Sequence, residues 1–155
     1  MELPQRKLIR LDAGVYHDDG RVFSVTLGTH PRADTFRDIG FGIKCIQLLD
    51  ELSARTGNRV FAYCLKPDHV HLLVESTSNS PLPSFVGAWK SECYRVQRQE
   101  GESRRFWQRG FYDHALRRSD DLRDAALYIL FNPVRKGLVA DFHSYPLCGS
   151  FVFEV

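Results

Sequence analysis

No apolar run in the 155 residues approaches the roughly 18 needed to cross a bilayer, and no two cysteines form a C-x-x-C pair. The first absence argues against a transmembrane helix. The second argues against a zinc ribbon or a disulfide framework and suits a reducing compartment. The four cysteines, Cys45, Cys64, Cys93 and Cys148, are far apart and read more readily as small buried apolar residues than as ligands. Strong charge of either sign is also missing. With a formal net charge of +2, the chain as a whole does not declare a nucleic-acid binder. The opening stretch MELPQRKLIRLDAG carries charge but no apolar core of a signal peptide, so a cytoplasmic location is the expectation. Internal repeats and domain-sized linkers are lacking too. One domain over residues 1–155, with residues 1–20 as an irregular entry segment, is long enough to bury a core.

The charge that is there is unevenly placed. Between Lys90 and Lys136 lie Arg95, Arg98, Arg104, Arg105, Arg109, Arg117, Arg118, Arg123 and Arg135. The planar guanidinium suits phosphate, although Glu92, Glu100, Asp120 and Asp121 allow the same stretch to be an ordinary solvated face.

Periodicity orders the elements. Residues 22–27 are β-branched and aromatic and read as a strand. Apolar residues at Phe36, Ile39, Ile43, Ile46, Leu48, Leu49 and Leu52 predict a helix that Thr-Gly-Asn at 56–58 stops. Residues 59–65 and 69–74 predict two strands, joined as a hairpin through Lys66-Pro67-Asp68. A second helix is predicted with Phe85, Val86, Trp89, Cys93 and Val96 on its inner side, and a fourth strand over 111–117. A third helix should start at a Ser119 cap, hold Asp120 and Asp121 in its first turn, and end near Phe131, because Pro133 biases Asn132 away from helical geometry. The fold class is α+β. The order βαββαβ is the ferredoxin-like pattern, with an appended helix carrying Tyr128. Two helices should cover one face of an antiparallel sheet, leaving the other for function or for the appended helix.

Residues two apart in a strand share a face, so His69 and His71 present two imidazoles together, with Val70 and Leu72 opposite. Two neutral imidazoles at this spacing can share a divalent ion, and two polar rings in a strand of Val and Leu would otherwise need partners. Tyr128 and Asn132 are four apart and should fall on one helix face. Facing the histidines, Asn132 could offer an amide oxygen as third ligand and Tyr128 a nucleophilic hydroxyl. The competing reading makes Tyr128 a core aromatic with a wet tip and Asn132 a helix C-cap. His114 is a spare candidate that also reads as structural.

These residues resemble a family. The stretch from Tyr63 through Pro67-Asp68-His69-Val70-His71 to Val74 resembles the His-hydrophobic-His signature of the HUH endonucleases. More narrowly, it is similar to their single-tyrosine branch, the REP-associated tyrosine transposases. Further matches are Phe106-Trp107-Gln108, the run from Phe111 to Arg117, Tyr128-Ile129, and Asn132 to Val139. Val25-Thr26 with Thr29, Arg32 and Phe36 resembles the entry strand. The motifs occur in order over roughly residues 16 to 150.

The resemblance implies an enzyme that cleaves single-stranded DNA near the foot of a REP-like palindromic hairpin. It would form a 5′-phosphotyrosine and release a 3′-hydroxyl. Carried onto this chain, Tyr128 is the nucleophile and His69, His71 and Asn132 are the metal ligands. Family usage implies Mg²⁺ or Mn²⁺, while ligand type alone leaves Zn²⁺ open. Arg117, Arg118, Arg135 and Lys136 flank the tyrosine helix and are expected to line the DNA backbone; Trp107 or Tyr112 could stack on a base, a core role being the plainer reading of Trp107. A non-catalytic hairpin-binding module and a water-using metal nuclease are the alternatives. Monomer and homodimer are both compatible, and no membrane partner is expected.

Overall fold

The computed structural model describes residues 13–16, 19–30, 34–101, 105–117 and 120–155. The short helix α1 (Ala13–Tyr16) comes first, where an irregular segment was expected. Tyr16 is buried and its hydroxyl donates to Asp113, which ties this turn to the sheet edge.

Strand β1 (Arg21–Gly28) leads through a 3-10 turn at Thr35–Arg37 into α2 (Ile39–Thr56). Asp38 caps α2, its carboxylate accepting from the Phe41 N–H at 3.1 Å. Gly57 ends it at φ 80°, a left-handed conformation that favours glycine. The stop agrees with the sequence reading, but the buried face does not. Phe41, Gly42, Cys45, Leu49 and Leu52 point inward, while Ile39 and Ile43 are 40% and 43% exposed. At Gly42 a Cβ would lie 2.5 Å from Leu147, so the close approach of the C-terminal segment needs glycine there and sets the helix's rotation.

Strands β2 (Val60–Lys66) and β3 (His69–Ser76) form the expected hairpin through Pro67-Asp68. Helix α3 (Leu82–Gln99) follows and buries Phe85, Val86, Trp89 and Cys93. Then come β4 (Tyr112–Ala115), α4 (Leu122–Leu130), the short α5 (Asn132–Arg135) and a two-residue strand β5 (Cys148–Gly149).

The sheet order is β4-β1-β3-β2-β5, with neighbouring strands antiparallel throughout. Its first four strands have the arrangement expected of the ferredoxin-like pattern. The edge strand β5, too short to leave a period, is an addition to it. Pairings Thr26↔His71↔Cys64 and Gly28↔His69↔Lys66 put these six residues on one face. Phe23, Val25, Leu27, Val70, Leu72 and Val74 point the other way, into the main core with α2 and α3. On the histidine face α4 lays Ala126, Ile129 and Leu130 over Phe61, Ala62, Cys64 and Leu73, forming a second, smaller core. The shift of register between Val60 and Ala62 moves Phe61 into that cluster.

The start of α4 differs from expectation. Asp121 is the cap, accepting from the N–H groups of Arg123 at 2.8 Å and Asp124 at 3.2 Å. Asp120 lies outside the helix, bonding the Arg117 N–H at 2.7 Å. Ser119 lies outside the described residues, as do Arg32, Arg104 and Arg118. Asp121→Ala should therefore cost about 1 kcal/mol in a urea melt. An unchanged midpoint would mean that this cap does not hold the helix.

Candidate metal and nucleic-acid site

His69 and His71 are held side by side by β3, their ring centroids 5.0 Å apart and their planes nearly perpendicular. Each ring has a partner at Nδ1. Asp68 Oδ1 is 2.6 Å from His69, and Thr26 Oγ1 is 3.2 Å from His71. With Nδ1–H directed at these oxygens, both Nε2 lone pairs are left free, the arrangement that orients a ligating imidazole. Burial holds both rings below the ordinary histidine range. His71 is pushed down to about 3, first by burial and then by His69, Lys66, Arg135 and Lys136. At His69 burial outweighs the opposing pull of Asp68, so that contact is a neutral ring donating to a carboxylate. Neutral imidazoles are the form that binds metal.

Neither supporting oxygen stood out in the sequence reading. Asp68 is adjacent to His69 and was legible only as a turn former. Thr26 comes from a strand 45 residues away and is found only once β1 and β3 are paired.

Asn132 opens α5 and is 8% exposed. It is helical, contrary to the expectation from Pro133, because proline is accepted in a helix's first turn; Phe131 is the C-cap of α4. The Asn132 side-chain oxygen is buried and accepts no hydrogen bond among the described residues. A buried amide oxygen without a partner is a vacant acceptor of the kind a hard cation satisfies. The two free Nε2 positions and this oxygen thus fit the donor chemistry of a divalent ion. Among the described residues no group of three His, Cys, Asp or Glu offers a rival site.

Tyr128 departs from expectation. It is 67% exposed, on the side of α4 turned away from the small core, whereas Asn132 is buried. The break at Phe131 lets residues four apart face different ways. Arg135 joins Tyr128 to the site. Its guanidinium stacks over the Tyr128 ring, 3.9 Å from the centroid, and donates to the Tyr128 carbonyl. The same guanidinium is close enough to His71 to help lower its pKa.

A cleft of about 280 Å³ opens beside His69, lined by Asp34, Arg37, Lys66, Pro67, Asp68, Lys136 and Leu138 as well. The proposed DNA-lining residues therefore divide. Arg135 and Lys136 border the histidine pair. Arg117 lies near Arg21 in another cavity, at the opposite end of β1 from Gly28, a strand length of about 23 Å away. Trp107 belongs to the core, with its Nε1–H on the Lys90 carbonyl at 3.1 Å. Gln108 lies over Gly28, where a Cβ would come within 2.3 Å of its Oε1, and it donates to the Thr29 carbonyl at 3.1 Å. His114 is exposed on β4, opposite Ser24 rather than beside the histidine pair.

A family model described as "Transposase IS200 like" matches residues 23–129. The chain belongs to this family. The matched span includes His69, His71 and Tyr128 and stops before Asn132. A Haemophilus influenzae relative named "Putative REP-associated tyrosine transposase" is 31% identical over 96 residues, covering 55% of this chain and 54% of its own. The chain thus spans about half the length of that transposase relative. A solved REP-associated tyrosine transposase, bound to a REP hairpin, is 19% identical over 92% of this chain and 82% of its own, with a TM-score of 0.72. That likeness shows a shared fold, which in this chain is a five-stranded antiparallel sheet with helices. No helix among the described residues is long and apolar enough to cross a membrane.

Proposed function

We propose that this IS200-like transposase nicks single-stranded or hairpin DNA at REP-like palindromes by metal-dependent transesterification, with Tyr128 as nucleophile. The observation that carries the reading is the pair of neutral, oriented imidazoles beside Arg135, which also stacks on the exposed Tyr128. The relative solved with a REP hairpin supplies the substrate class.

His69, His71 and Asn132 would hold Mg²⁺ or Mn²⁺, which supplies Lewis-acid stabilisation of the phosphate worth several kcal/mol. Tyr128 Oη attacks phosphorus, the Oη–P bond forms, and the P–O3′ bond breaks. The phenolic proton passes to solvent and the departing 3′ oxygen takes one back, leaving a 5′-phosphotyrosine and a 3′-hydroxyl. One phosphodiester is exchanged for another, so rejoining needs no ATP. Arg135 and Lys136 neutralise phosphates on either side of the break.

The test is incubation of the chain with labelled hairpin oligonucleotides, taken from palindromes flanking its gene, in Mn²⁺. A protein–DNA band that survives denaturation and vanishes with EDTA is expected. Hairpins retarded on a native gel without any covalent species would make the chain a binding module instead.

Lys136 and Arg117 lie in separate cavities and should differ in their effect on DNA. In anisotropy titrations, Lys136→Gln should lower the slope of log affinity against log salt by about 0.7–0.9, while Arg117→Gln leaves it unchanged. Equal losses from both would place the DNA along the whole sheet rather than at the histidine end.

A further inference from the structure

Lys66 is an anomaly that the metal site and Tyr128 do not explain. It is 2% exposed, the last residue of β2, and directly opposite His69 in the sheet, so both side chains rise from the same face. Buried lysines are almost always paired. Among the described residues this ammonium has neither an ion pair nor a hydrogen bond. Asp68, the carboxylate beside it, is bonded to His69. Arg135 and Lys136, both positive, act on Lys66 as well, and Asp34, paired with Arg37, lines the same cleft. Burial lowers the Lys66 pKa first, with Lys136 and Arg135 adding to that and Cys64 and Asp68 opposing it. A site of this kind is costly for the folded chain by itself and calls for an anion from outside. Lys66 also lines the cleft that holds His69 and Lys136, so an anion entering there meets it.

We infer that Lys66 is a further catalytic residue whose ammonium contacts a non-bridging oxygen of the scissile phosphate. The inference rests on the transesterification reading above. As Tyr128 Oη bonds to phosphorus, before O3′ leaves, the phosphoryl group gains negative charge. An ammonium on the wall of the cleft favours that state over the ground state. Lys66 keeps all its protons throughout, and the phenolic proton still leaves through solvent. The phosphate lies between the ammonium and the metal ligands, which allows two cationic centres to share so small a cleft.

The experiment measures the initial rate of covalent adduct formation at saturating hairpin, hairpin affinity, and melting midpoint for the wild type, Lys66→Met and Lys66→Arg. Lys66→Met should lower the rate on the order of a hundredfold. Its hairpin affinity should change far less, and its midpoint should stay or rise, because an unpaired buried charge has gone. Should the midpoint fall, Lys66→Arg decides: recovery of rate with the charge restored supports the role, and a rate as low as that of Lys66→Met overturns it. A wild-type rate in Lys66→Met, or a loss explained wholly by affinity, overturns the role while leaving the transesterification reading intact. A wild type that forms no adduct with any hairpin overturns both.

Discussion

Tyr128→Phe is expected to lower adduct formation by roughly a thousandfold or more while leaving the protein folded and able to hold its hairpin. The substitution removes one oxygen from a side chain that is two-thirds in solvent, so stability should move by no more than about 0.5 kcal/mol. Arg135 stacks on the ring, not the hydroxyl, and its bond goes to the Tyr128 carbonyl; both contacts survive in phenylalanine. The variant thus separates nucleophile from scaffold. Denaturing gels measure the adduct, and native gels with the same labelled hairpin measure binding. Cleavage that persists in Tyr128→Phe, with no protein attached to the product, would turn the chain into a water-using metal nuclease and remove Tyr128 from the mechanism.

The exposure of Tyr128 shows where sequence reasoning stopped. Spacing correctly put His69 and His71 on one face, because strand alternation is strict and both residues lie inside one strand. It failed at Tyr128 and Asn132, where the same logic assumed an unbroken helix. Phe131 interrupts that helix, and the two residues part, one to solvent and one to the interior. The buried stripe of α2 was misjudged for a related reason. Two isoleucines looked like core, but Gly42 admits Leu147 from the far end of the chain, and no local pattern records that approach.

The strand order was legible because three strong apolar strands, a shorter polar one and two helices leave few compact arrangements. Cys148–Gly149 was not, since two residues carry no alternation. Lys66 was read only as part of a turn. Its meaning depends on burial and on a neighbouring carboxylate, Asp68, that is bonded to His69 instead, neither of which a linear sequence displays. The arginines between 90 and 136 looked like one basic stretch. In the fold Arg117 and Arg135 flank α4 yet serve opposite ends of the sheet, because the helix runs across β2 and β3 between them.

The other large effect is expected at His71, where one substitution should change metal response, activity and acid stability together. In the folded chain the His71 pKa is held down to about 3, first by burial, against an ordinary value of 6.5. A folded value below the unfolded one makes the contribution to stability complete above about pH 6.5. Below that the unfolded chain takes up a proton the folded chain refuses, and stability is lost as pH falls towards about 3. The loss is about 1.4 kcal/mol per pH unit, or about 2 kcal/mol by pH 5.

In His71→Asn, which can keep a hydrogen bond to Thr26, the fall in urea-melt stability of metal-free protein between pH 7 and 5 should shrink by about that amount. Adduct formation at neutral pH should drop at least on the order of a hundredfold with the loss of a ligand. Mn²⁺ should raise the melting midpoint of the wild type but not of the variant, because only a site present in the folded state couples binding to stability. These readouts fail independently. An unchanged pH slope would show that His71 takes up its proton in the fold, so that it is solvated rather than buried. A midpoint that still rises with Mn²⁺ in the variant would place the ion away from His71, and the paired imidazoles would then need another purpose.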